Sequence, residues 1–151
     1  MALEDDIALL SRVPMIGTID KDALRLIAFS AETKVLKAGD VLFRKDEPAD
    51  GGYVLVKGAI AMMSEDGTTA RSIIGPGGLI GELALISETK RPATAIAREA
   101  TLVLRIPRTL FRRTLEEYPH VAERLAKEIR ERVTATAAAL SGVKRRFDQI
   151  G

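Results

Sequence analysis

Residues able to do chemistry are sparse in this chain and gather in one stretch, Gly78-Leu79-Ile80-Gly81-Glu82-Leu83-Ala84-Leu85-Ile86-Ser87-Glu88-Thr89-Lys90-Arg91-Pro92-Ala93-Thr94. A glycine-rich bend leads into one apolar helical turn beginning at Glu82, followed by a polar loop with a cation and a return to strand. That order outlines an anion cradle. Glycine lets a backbone come close to a ligand, the N–H groups of a helix start point outward, and Arg91 offers a planar fork of donors suited to phosphate. Glu82 would repel phosphate, so its natural partner is a hydroxyl, and a ribose 2′-OH fits. Each residue also has a plainer reading. Arg91 could be a surface arginine beside Glu88, Glu82 an acid gaining from the helix macrodipole, Gly81 a turn former and Thr94 a strand residue.

The rest of the inventory excludes more than it offers. The 151 residues contain no Cys and one His, with 23 Lys and Arg against 21 Asp and Glu for a net charge of +2. Without Cys there is no disulfide framework, thiolate metal site or cysteine nucleophile. His120, just after Pro119, reads as a solvated first-turn residue, and a lone His supports neither a metal centre nor a base. An enzyme on a cupin-like roll would need clustered His and carboxylates, so no catalytic residue is expected. A charge of +2 is too small to argue for nucleic acid or an anionic membrane. The expected class is a globular chain, 46% apolar and 29% charged, in the cytoplasm, with no membrane span and no signal peptide.

The elements that must position the cradle follow from periodicity. Residues 3–12 carry Leu3, Ile7 and Leu10 on one stripe, a short amphipathic helix that Pro14 would stop. Asp20 reads as the N-cap of a second helix whose Leu24, Ile27 and Ala28 share a face. Short β-type runs follow (TKVL, VLF, YVLV, AIAMM, RSII, TAIA, TLVLRI), broken by turn residues at the spacing of an antiparallel roll. Eight of the 12 glycines fall between Gly51 and Gly81. After Pro107 the period is helical again: a short helix over about 109–117, then a long one opened by Pro119. Residues from Arg108 onward carry a net charge of +4 and the first 107 carry −2. The expected fold is α+β, one domain over 1–151: N-terminal helices (1–32), an antiparallel, jelly-roll-like β-roll (33–107) containing the 78–94 segment, and two C-terminal helices (108–148).

On these residues the chain resembles the cyclic nucleotide-binding domain family. Gly81-Glu82-Leu83-Ala84-Leu85, then Arg91 with Ala93-Thr94, is similar to that family's phosphate-binding cassette, and the helix–roll–helix order matches. The resemblance implies that Arg91 pairs with the cyclic phosphate and that Glu82 accepts from the ribose 2′-OH. Leu83 and Ala84 would present N–H groups to the phosphate, Gly81 would permit close approach, and Ala93-Thr94 would complete the motif with Thr94 near the purine. Pro92 departs from the pattern. Ligand-binding members commonly donate a backbone N–H there, which proline lacks, and members that prefer cyclic GMP carry a hydroxyl there. Cyclic AMP is therefore the expected ligand, with no cofactor and no metal. The alternative is a degenerate roll that no longer binds nucleotide and serves as a dimeric interaction module. Glu47, at a position usually glycine in the family, implies a different turn away from the site.

The long C-terminal helix carries Leu125, Ile129 and Val133, and the stripe continues through Leu140, Val143 and Phe147. It could cover the purine or pair with a second copy, and its length favours a homodimer. Signalling to an unknown protein partner through these helices is expected, with no DNA-binding module in the chain.

Overall fold

The computed structural model describes residues 3–13, 16–127 and 130–131. Among these residues, helix α1 (Leu3–Leu10), a 3-10 turn (Ile16–Thr18) and helix α2 (Lys21–Ser30) precede ten strands: β1 (Glu32–Leu36), β2 (Val41–Phe43), β3 (Pro48–Ala49), β4 (Gly51–Lys57), β5 (Ile60–Met63), β6 (Ala70–Ile74), β7 (Leu79–Ile80), β8 (Thr89–Lys90), β9 (Ala95–Ala97) and β10 (Thr101–Pro107). A 3-10 turn at Glu82–Leu85 sits between β7 and β8, and helix α3 (Arg108–Glu117) follows β10. Residues 119–127 are helical again. Among the described residues all strand pairings are antiparallel, in sheets ordered β1-β10-β4-β7 and β2-β9-β5-β6, with β3-β8 as a separate ribbon. This is the α+β roll expected from the periodicity.

Strands β4 and β10 form the partition on which the fold is built. Successive side chains of a strand face opposite ways, and here both faces are covered. Tyr53, Leu55 and Val103 enter the roll with Leu36, Phe43, Ile60 and Ala95. Val54, Leu104 and Ile106 face the helices, packed with Leu10, Ile27 and Phe111. Burying each such aliphatic side chain contributes roughly 1.5–3 kcal/mol, so the partition ties both clusters to one pair of strands. The α2 face expected from Leu24, Ile27 and Ala28 is buried.

Asp20 takes the N-cap position of α2 as expected, but its side chain makes no capping hydrogen bond. Its carboxylate instead lies 2.7 Å from His120 Nε2, while the Asp20 carbonyl accepts from Leu24 N–H at 2.9 Å. Further along, Leu125, the one described member of the C-terminal stripe, is buried beside Val121 in the helical cluster of this same chain. Ile129, Val133, Leu140, Val143 and Phe147 lie outside the described residues, as does Pro14. No helix among the described residues is long and apolar enough to cross a membrane.

Candidate functional site

The ribbon β3–β8 fixes the arginine's main chain. Pro48 pairs with Lys90 and Ala49 with Thr89, and the pairing extends by two backbone bonds. Arg91 N–H donates to the Glu47 carbonyl at 2.9 Å, and Asp46 N–H donates to the Arg91 carbonyl at 2.8 Å. Asp46 takes a positive φ of 70° to make this turn, a conformation that Asp tolerates better than most residues. Glu47 therefore does touch the site, contrary to the expectation from sequence, because the backbone of Arg91, just after β8, bonds to its turn.

The Arg91 side chain is only 4% exposed, which removes the reading of a surface arginine beside Glu88. Its Nη2 donates to the Gly51 carbonyl at 2.9 Å. The guanidinium carbon lies 4.4 Å from the Phe43 ring centroid and 5.5 Å from that of Tyr53. Among the described residues, no ion pair includes Arg91. Burial pushes its pKa below the usual arginine value, opposed by Tyr53 and by the charges of Asp50 and Glu47. The guanidinium stays protonated, since an arginine starts so far above neutrality.

Gly81 adopts φ 80°, ψ 40° at the entry to the 3-10 turn, a left-handed conformation open to glycine at little cost. A Cβ there would collide with Arg91 Nη1, so conformation and space both call for glycine. The turn that follows closes with Ala84 N–H donating to the Gly81 carbonyl at 3.1 Å. To reach a phosphate, that N–H would have to share or leave this bond. Leu83 is 47% exposed at the lip.

Gly81, Glu82, Leu83, Ala84, Arg91 and Pro92 line one cavity of about 270 Å³, so six of the eight residues expected at the site meet there. That volume is near the lower end for a small-molecule pocket. Ala93 and Thr94 do not line it. The Thr94 hydroxyl accepts from Lys45 N–H at 3.0 Å and so braces the turn after β2. Sequence reasoning missed Ala49, Thr89 and Lys90, which complete the lining and also border a neighbouring cavity of about 530 Å³.

It also missed Arg108. This Nη1 donates to three carbonyls, those of Ala49 (2.9 Å), Ala84 (3.1 Å) and Ser87 (3.0 Å), tying the ribbon and the cassette turn to the start of α3. A cation in the first turn of a helix opposes the macrodipole, and that misplacement is the one signal the sequence carried. Nearby, Arg105 bridges Glu32 (3.0 Å) and Asp50 (2.5 Å). His120 is exposed and paired with Asp20. Among the described residues no group of His, Cys, Asp and Glu could hold a metal ion.

The profile of the cyclic nucleotide-binding domain matches residues 33–118. A cyclic nucleotide-binding-like protein from Brucella abortus is 42% identical, with 74% of this chain aligned to 98% of that one at a TM-score of 0.68. The N-terminal domain of a transcriptional regulator from Streptomyces coelicolor is 29% identical over 87% of this chain and 94% of that one, TM-score 0.78. Lysophospholipase NTE1 of Pyricularia oryzae is 31% identical over 110 residues, 71% of this chain and 7% of that protein; the chain spans less than a tenth of the length of such curated relatives. The roll, the cassette with its buried arginine and these matches agree: the chain belongs to the cyclic nucleotide-binding domain family.

Proposed function

We propose that this domain is a non-enzymatic sensor that binds a cyclic nucleotide at the cassette, takes cyclic AMP in preference to cyclic GMP, and passes binding on through its C-terminal helices. The observation that carries this reading is Arg91, a buried guanidinium without a carboxylate ion pair among the described residues, lining a cavity beside left-handed Gly81. A phosphodiester supplies the charge and the in-plane acceptors such a group binds best. Glu82 would take the ribose 2′-OH. The preference for cyclic AMP rests on Pro92, which offers no hydroxyl. Coupling to the helices rests on Arg108, whose side chain holds the cassette turn while its backbone starts α3. A homodimer through the stripe beyond residue 127 and a cytoplasmic site of action complete the proposal; light scattering of the full chain tests the dimer.

Calorimetry with both nucleotides tests the binding. The expected result is heat with cyclic AMP, weaker heat with cyclic GMP, and loss of both in Arg91→Ala. No heat with either nucleotide at millimolar concentration would overturn it.

A second reading, a roll that has lost its ligand and acts as an interaction module, is favoured by Pro92 alone. A backbone N–H to a charged phosphate is worth roughly 1.5–3 kcal/mol, about ten- to a hundredfold in affinity. Pro92→Ala should therefore tighten binding by up to that factor. If binding is found only in Pro92→Ala and never in the natural chain, the second reading holds.

A further inference from the structure

Phe43 and Tyr53 belong to the roll core, and the ordinary role of a buried aromatic is packing. Their placement around Arg91 gives them another. Phe43 ends β2 in one sheet and Tyr53 lies on β4 in the other, with ring centroids 6.1 Å apart and planes inclined by 33°. The Arg91 guanidinium carbon sits over both, at 4.4 Å and 5.5 Å. With the rings on one side, Nη2 is engaged by the Gly51 carbonyl and Nη1 is the atom against Gly81. The donors are thereby set between β4 and the cassette entry.

A buried guanidinium is usually held by a carboxylate. A carboxylate would neutralise the charge and compete with an incoming phosphate. Ring faces attract the cation through their quadrupole and leave its charge intact. We propose that Phe43 and Tyr53 are positioning residues for phosphate recognition: an aromatic seat, one ring from each sheet, that holds the Arg91 cation in place of a carboxylate and keeps its full charge for a phosphodiester anion. The inference rests on the function proposed above.

Cation–π contacts range from about 0.5–1 kcal/mol when exposed to about 2 kcal/mol when desolvated, so removing the nearer ring should weaken phosphate binding by about five- to thirtyfold. The test pairs calorimetry, with cyclic AMP as probe, with the ¹H–¹⁵N signal of Arg91 Nε–H. In the wild-type protein without nucleotide, ring currents should displace that signal upfield. Phe43→Leu should move it most of the way back toward the ordinary arginine position, leaving the smaller shift from Tyr53, and weaken cyclic AMP binding by the stated factor, with thermal melting showing a folded roll. Tyr53→Phe, which keeps the ring, should recover most of the affinity that Tyr53→Leu loses, and this pair decides if Phe43→Leu fails to fold. The seat is overturned by an undisplaced wild-type signal, by Phe43→Leu binding within about twofold of wild type, or by Tyr53→Phe binding as weakly as Tyr53→Leu. A wild type that binds neither nucleotide overturns the functional reading instead, and the Arg91 signal still judges the seat.

Discussion

Two turns of the same roll treat their charged residues in opposite ways. In the turn between β5 and β6, Asp66 is exposed and accepts from Ser64 Oγ (2.5 Å), Thr68 N–H (3.0 Å) and Thr68 Oγ1 (2.8 Å), while Thr69 N–H donates to Ser64 Oγ (3.2 Å). Those hydrogen bonds, Ser64 first, hold its carboxyl at about 2, below the usual 3.8. In the cassette, Arg91 is buried, desolvation lowers its pKa, and its hydrogen bond goes to a neutral carbonyl. The first turn satisfies its charge from within and serves only its own shape. The second removes a cation from water with no ion-paired counter-charge among the described residues, an arrangement that costs stability unless something else compensates. A charge kept on those terms is what the proposed binding role for Arg91 requires.

The sharpest way to break this contrast is Arg91→Met, which keeps length and removes charge. Cyclic AMP affinity should fall at least about a hundredfold, given roughly 1.5–3 kcal/mol for each of two charge-assisted bonds. The melting temperature should hold or rise, because replacing a buried charge by an apolar group is often neutral or stabilising. A large drop in melting temperature would make Arg91 a structural residue instead.

Gly81→Ala should be next. A left-handed alanine costs about 1–2 kcal/mol, and its Cβ would displace the Arg91 Nη1 edge, so calorimetry should show roughly tenfold weaker binding alongside a lower melting temperature. Arg108→Gln probes the coupling between the two halves of the molecule. Losing the bonds to Ala84 and Ser87 should cost about 1–2 kcal/mol and raise hydrogen exchange across residues 82–87 while the 64–69 turn is unaffected.

The smallest effect belongs to Asp66→Asn. Because the folded carboxyl titrates at about 2 rather than 3.8, its contribution to stability is present above 3.8 and is lost as pH falls through about 2. The gap between wild-type and Asp66→Asn melting curves should close across that window and be independent of nucleotide.

The sequence was most legible where a period repeats. Strands β2, β4, β6 and β10 and the first two helices emerge within a few residues of their expected bounds because alternation or a helical stripe runs long enough to read. Strands β3, β7 and β8 have two residues each, too short for any period, yet β3–β8 is the ribbon that fixes Arg91. Chemistry was legible as residue type and spacing, which brought Gly81, Glu82 and Arg91 together. Burial was not, because arginine is ordinarily exposed and only the tertiary fold brings Phe43 and Tyr53 beneath it. Asp20 stands at the N-cap as its residue type predicts, but its carboxylate is paired with a long-range partner, His120, which a local pattern cannot reveal. Nothing in the sequence points to Arg108 donating to the carbonyls of Ala84 and Ser87 except its wrong-signed position at a helix start.

The arginine's surroundings also limit how portable the site is. One ring comes from β2, another from β4, the acceptor carbonyl from Gly51 and the main-chain bracket from Asp46 and Glu47. A grafted 78–94 peptide would carry the motif and none of that enclosure. Recombination or engineering can move this receptor only as a whole roll, and any split between the two sheets dismantles the enclosure before it touches a residue of the motif.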